Sequence, residues 1–267
     1  MNTRMRASSL LPVLGGTLRY EALMVVRHRA LWTVLVPLSL LSLVIAWGAP
    51  SDITGGVRHV GAAALITGIL CTLGIGVTLA DRFVRGLSHG MGDLAAATPH
   101  SLWFRLPAML VASLGVALVL PLVVVMVCVV PAAVADGGVR PLAAALAAFT
   151  TVLVPGAAAL TALACFLGLV LPLTLARVAT AGVWLWSTIA SPQILPLVTP
   201  TGTLLSPVGG YPAAAWFGER AVWANRELTG PLSPPPDTGT ALANLAVLAV
   251  FTAVLLTLAV LVAVRRK

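Results

Sequence analysis

The sequence predicts an all-α integral membrane protein with six transmembrane helices. Three observations lead there: six long apolar runs, a scarcity of charge, and flanking charges that gather on one side. The runs are Ala30–Ala49, Val60–Ala80, Leu106–Ala135, Pro141–Leu171, Leu173–Val198 and Ala241–Val264. Each reaches the ~20 residues that a helix needs to cross a ~30 Å hydrocarbon core. No water in that core can satisfy a bare backbone, so the spanning element must close its own hydrogen bonds. Barrel strands would be about half as long and would alternate in polarity. Hydrophobic residues make up 59% of the chain and charged residues 9%, against about a quarter charged in a soluble domain.

Charge placement orients the spans. Arg4, Arg6, Arg19, Arg27 and Arg29 precede the first run, and Arg82, Arg85 and Arg105 separate the second from the third. Arg177 opens the fifth, while Arg265, Arg266 and Lys267 follow the sixth. The opposite side holds Arg58, Arg140, Arg220 and Arg226. The positive-inside rule puts both termini in the cytoplasm. The net charge of +8 then follows from membrane orientation and does not point to nucleic acid. One transmembrane domain, 1–267, is expected. It has a cytoplasmic N-terminal segment (1–29), a cytoplasmic loop (81–105) and an external loop (199–240). Twenty-nine residues before the first run are too many for an ordinary signal-peptide n-region.

The N-terminal segment is amphipathic. Leu11, Leu14, Leu18, Ala22 and Val25 form one apolar stripe, as expected of a helix lying in the interface. Trp32 and Trp47 sit roughly 22 Å apart along the first helix, as belt residues near the two interfaces would. In the loop DRFVRGLSHGMGDLAAATPHSLWFR, Leu87, Met91, Leu94 and Ala95 recur at helical spacing. Thr98–Pro99 ends that pattern, because proline pushes its predecessor out of the α region. So short a helix is marginal alone and is expected to dock, either on lipid headgroups or on a cytoplasmic partner. The external loop is rich in proline and glycine. Its stretch Tyr211–Leu228 mixes Trp216, Phe217 and Trp223 with charges, which reads as interfacial or partly inserted helix, or as an aromatic-anchored loop.

No Asp, Glu, Lys or Arg lies mid-span, which disfavours an ion-driven carrier. The chain has no G-x-x-x-x-G-K-[ST] motif, so any nucleotide hydrolysis belongs to another polypeptide. His28, His59, His89 and His100 are scattered without metal spacing, and no H-E-x-x-H or G-x-S-x-G occurs. Cys71, Cys128 and Cys165 fall in different spans and read as small buried apolar residues. Two stripes of small polar residues remain: Thr67, Cys71, Gly74 and Thr78 in span two, and Thr180, Trp184, Ser187, Thr188 and Ser191 in span five. They serve either as helix–helix contacts or as the lining of a weakly polar path. Pro37, Pro121 and Pro155 are expected to kink their spans.

This combination resembles the type-2 permeases of ATP-binding cassette exporters. The stretches ADRFVRG and GDLAAATPHS look like that family's cytoplasmic loop, and the likeness of topology extends over nearly the whole chain. The resemblance implies an N-terminal interfacial helix at Leu10–His28 and a coupling helix between helices 2 and 3. It also implies re-entrant or interfacial helices before helix 6. Arg82, Arg85, Leu87, Met91, Asp93 and Leu94 would form the ATPase-coupling loop. Thr67, Thr78, Trp184, Ser187, Thr188 and Ser191 would be candidates for the substrate path. The implied partners are a cytoplasmic ATPase subunit, which holds the ATP and Mg, a second permease copy or similar permease, and membrane lipids. No cofactor is expected in this chain, and no catalytic or metal-binding residue. The implied location is the cell membrane, as a multi-pass protein of the bacterial plasma membrane, and the implied cargo is lipidic, peptide or drug-like. A non-transporting membrane anchor or assembly factor and an integral-membrane enzyme are the other readings.

Overall fold

A computed structural model describes residues 15–16, 18–48, 56–87, 102–136, 139–190, 199–219 and 231–265. Its regular elements are helical, and no strand occurs among the described residues. Residues 18–26 form α1. Then come α2 (Arg29–Trp47), α3 (Gly56–Leu79), the six-residue α4 (Arg82–Leu87), α5 (Leu102–Ala117) and α6 (Val119–Asp136). They are followed by α7 (Arg140–Ala148), a π-helical turn (Phe149–Leu153) and α8 (Val154–Val170). The last three are α9 (Leu173–Thr188), α10 (Gly210–Phe217) and α11 (Thr238–Arg265).

Five stretches are long and apolar enough to cross a membrane: Arg29–Trp47, Arg58–Arg85, Trp103–Pro131, Arg140–Val170 and Thr238–Arg265. They correspond to the first four and the sixth of the predicted runs and make the chain a helical membrane protein. In the remaining run, α9 has 16 residues, or about 24 Å of helix. Residues 191–198 lie outside the described residues.

The prolines act where the backbone is short of a donor. Pro121 has no N–H for the carbonyl of Ala117, and the helix is interrupted at Leu118 between α5 and α6. Pro155 likewise cannot bond the carbonyl of Thr151, and the wider π turn lies immediately before it. Pro37 is accommodated within α2.

At the centre stand α3 and the α7–α8 run, 72% and 67% buried, whereas α2 and α11 are 28% buried and form the periphery. A helix apolar on all sides, as α3 is, belongs inside a bundle. It packs against α2, α6, α8 and α9. Close approach depends on glycine. A Cβ at Gly74 would lie 2.7 Å from Leu38 Cδ1 of α2, and one at Gly76 would lie 2.8 Å from Leu160 Cδ2 of α8.

One end of the bundle is charged. Phe83 clusters with Leu106 of α5, Leu169 of α8 and Ala263 of α11, so these helix ends share a level. Arg19, Arg27, Arg29, Arg82, Arg85, Arg105, Arg177 and Arg265 belong to that end. Arg58 and Arg140 belong to the other. Among the described residues, the charge sorting read from the sequence is thus a segregation along the bundle axis.

Candidate functional site

Two places gather the chemistry. The first is an ion-pair knot at the arginine-rich end. Arg82 donates to Glu21 Oε2 at 2.7 Å, with both side chains 7% exposed. This joins α1 to the start of α4. Beside it, Asp81 is buried, with Arg85 at 2.7 Å and Arg177 of α9 at 3.7 Å, both on Oδ2. Neither carboxylate oxygen has a hydrogen-bond partner among the described residues, so these contacts are ion pairs only. His28, between α1 and α2, lies close enough to feel all four charges. Its pKa is lowered first by burial and further by Arg85, Arg82 and Arg177, against the opposing pull of Asp81. Elements far apart in sequence are therefore held by charge at the root of the 81–105 segment. A recess of about 360 Å³ opens next to Asp81, walled by Val84 and by the chain leaving α8 from Gly168 to Leu173.

The second place is apolar and lies deeper. Trp184 is 2% exposed, and its indole N–H donates to the main-chain carbonyl of Ile69 at 2.9 Å. Its ring lies against Gly156, which is backed by the carbonyl of Pro207. A cavity of about 290 Å³ adjoins it, bounded by α8, α9, α11 and the 199–208 segment. That segment is tied down from two sides. Asn244 of α11, fully buried, donates to the carbonyls of Leu204 and Ser206 at 2.8 and 3.0 Å. Gly209, at φ 72°, turns the chain into α10 while touching the backbone of Val152 in the π turn. Tyr211 then donates to the carbonyl of Pro234 at 3.1 Å.

The sequence-predicted coupling residues divide. Arg82 and Arg85 belong to the knot, and Leu87 closes α4, whereas Met91, Asp93 and Leu94 lie outside the described residues. Of the predicted path residues, Trp184 and Ser187 face the cavity. Thr78 and Thr188 are buried, with hydroxyls bonded to carbonyls one turn back at 2.7 Å. Thr67 is buried in α3 with its hydroxyl unpartnered. Ser191 is outside the described residues. The stripe containing Thr67 meets α2, because Cys71 Sγ lies 3.4 Å from Ser39 Oγ and 3.8 Å from Ser42 Oγ.

The structure adds Glu21, His28, Asp81 and Asn244 to the residues that hold these places. A lone acid in a basic segment and a lone amide in an apolar run were the available signals. Compared with family models, curated proteins and solved structures, the chain matches none.

Proposed function

We propose that this chain is the permease subunit of an ATP-driven exporter, coupled to a separate cytoplasmic ATPase. The observation that carries the reading is the knot. The segment that leaves α3 is fixed by ion pairs to both α1 and α9, so a push on it reaches two further helices. Such leverage is what a subunit without its own phosphate-binding motif needs from an energy-supplying partner. In this reading α9 belongs to the fifth of six spans, both termini face the cytoplasm by the positive-inside rule, and residues 81–105 are the coupling loop. The cell membrane, of bacterial plasma-membrane type, is the proposed location.

ATP and Mg²⁺ bind the partner. Closure of the ATPase pair moves the coupling loop, and the ion pairs of Asp81 and Arg82 pass that displacement to α9 and α1. The hydrogen bond from Trp184 to Ile69 keeps α9 and α3 moving together at mid-depth. Cargo is exchanged between two states of the bundle, and the difference in free energy between them comes from ATP binding. The apolar walls around Trp184 favour lipidic, peptide or drug-like cargo. A second permease copy or a similar permease completes the membrane unit.

The test is purification of the tagged chain from its native host in mild detergent, with identification of co-purifying subunits and an ATPase assay. A partner with a phosphate-binding loop and ATP hydrolysis is the expected result. A stable preparation that lacks both across several detergents rejects the reading. Bulky replacements at Ser187 and Thr188 separate a permease, whose transport they impair, from a membrane anchor, which they spare. Replacement of Arg85 or Asp93 is expected to uncouple transport while leaving membrane insertion intact.

A further inference from the structure

We infer that the cavity beside Trp184 is a binding site for one acyl tail of a membrane phospholipid, entered sideways from the bilayer. The argument begins with depth. Gly168 of α8 packs on the carbonyl of Ala80 at the charged end, and Gly156 packs on Pro207 twelve residues earlier in the same helix. Twelve residues of helix place the cavity level about 18 Å from that end, within a ~30 Å hydrocarbon layer. At that level the molecules outside the bundle are lipid tails.

The mouth faces them. Val183, Trp186 and Phe251 line the cavity and are 39, 45 and 44% exposed, on the outer faces of α9 and α11. The floor is closed: Leu160 and Leu248 are 4 and 3% exposed. Among the described residues that line the cavity, neither buried polar side chain is free. The Trp184 N–H is used on Ile69, and the Ser187 hydroxyl is used on the carbonyl of Trp184 at 3.0 Å. The occupant must therefore be apolar. At about 290 Å³ the space is near twice an engineered ~150 Å³ apolar cavity that stays dry and accepts benzene. A tail gains no hydrophobic energy on leaving its neighbours, so binding rests on dispersion contacts with the walls and is exchangeable. The inference needs no transport activity and stands or falls apart from the exporter reading.

The full chain is reconstituted with phosphatidylcholine carrying a diazirine along one tail, irradiated, and its adducts are mapped by mass spectrometry. Adducts are expected on Leu160 or Leu248 as well as on the mouth residues. In Ala159→Leu, which fills the cavity from α8, the floor adducts should fall about tenfold, the factor for losing about 1.4 kcal/mol of contact. The mouth adducts should remain. Leu163→Phe, filling from the same helix, serves if Ala159→Leu does not fold. Adducts confined to the mouth overturn the proposal, as do floor adducts that persist in a folded filler variant. Absence from both floor and mouth means that a protein neighbour, such as a second copy, covers the opening, and overturns it equally.

Discussion

Trp184 of α9 reaches across to the middle of α3 and donates its indole hydrogen to the carbonyl of Ile69, 2.9 Å away. This contact joins the helix that carries Arg177 to the helix that leads into Asp81. Trp184→Phe keeps most of the ring and removes the donor. Interhelical hydrogen bonds in membranes are worth about 0.6 kcal/mol on average, so that variant should lose little stability. Trp184→Ala also removes the packing on Gly156 and should lose about 3–5 kcal/mol. Thermal unfolding of the detergent-solubilised chain measures both. Equal losses in the two variants would mean that the hydrogen bond, and not the ring, holds the helices together.

The glycines sort by what a methyl group would meet. At Gly168 a Cβ runs into the carbonyl of Ala80, and at Gly156 into that of Pro207. Backbone cannot step aside as a flexible side chain can, so Gly168→Ala and Gly156→Ala should each lose about 1–3 kcal/mol or more. At Gly182 of α9 nothing lies within 4 Å. Gly182→Ala should therefore be neutral or gain up to ~1 kcal/mol from helix propensity. Unfolding temperatures of the three variants should separate in that order, and a loss in Gly182→Ala matching the other two defeats the packing argument.

Glu21 and Arg82 are a buried pair, and the cost of breaking such a pair comes mostly from the charge left behind. Arg82→Leu alone or Glu21→Met alone should each destabilise by about 3–5 kcal/mol. The double variant should recover most of that loss, because neither charge then remains without a partner. A double-mutant cycle on unfolding in detergent measures the coupling. Additive losses would mean that the two side chains do not depend on each other.

Much of the fold was legible because the bilayer imposes a length and a polarity on every spanning helix. The first four and the sixth apolar runs are helices of the expected extent, and most of the described arginines collect at one end of the bundle. The breaks at Leu118 and in the π turn follow from Pro121 and Pro155, whose missing N–H groups are visible in the sequence. What could not be read was which helix meets which. Glu21 and Arg82 are 61 positions apart and Asn244 and Leu204 are 40 apart, and no local periodicity links such residues. The small-polar stripe of α3 also admitted two uses. The placement of Cys71 against Ser39 and Ser42, and of Gly74 against Leu38, reveals that this part of the face meets α2.

Asn244 is a buried amide in an otherwise apolar stretch of α11, and it holds the 199–208 segment through two carbonyls. Asn244→Leu keeps similar volume but leaves the carbonyls of Leu204 and Ser206 without that donor. An unsatisfied buried polar group costs about 1–3 kcal/mol. The segment should loosen while the spanning helices stay packed. Limited proteolysis between 199 and 209 should accelerate in the variant, with unchanged helix content by circular dichroism. Unchanged cleavage would show that Gly209 on Val152 and Tyr211 on Pro234 suffice to hold the segment.

His28 gives the charged end a pH dependence with a definite sign. Burial and the nearby Arg82, Arg85 and Arg177 lower its pKa below the ordinary 6.5, and Asp81 only partly opposes them. Below pH 6.5 the unfolded chain takes up a proton that the folded chain still refuses. The unfolded state then binds more protons, so stability falls as pH falls. The loss begins near 6.5 and ends below the lowered folded value, where both states are protonated. Its source is first the burial of the imidazole, and then the three arginines that stand with it around one buried carboxylate. His28→Asn removes the titration and should flatten the unfolding temperature between pH 7.5 and 5, whereas the unaltered chain declines over that range. Parallel declines in the two chains would assign the acid sensitivity to other groups and remove His28 from the account of the knot.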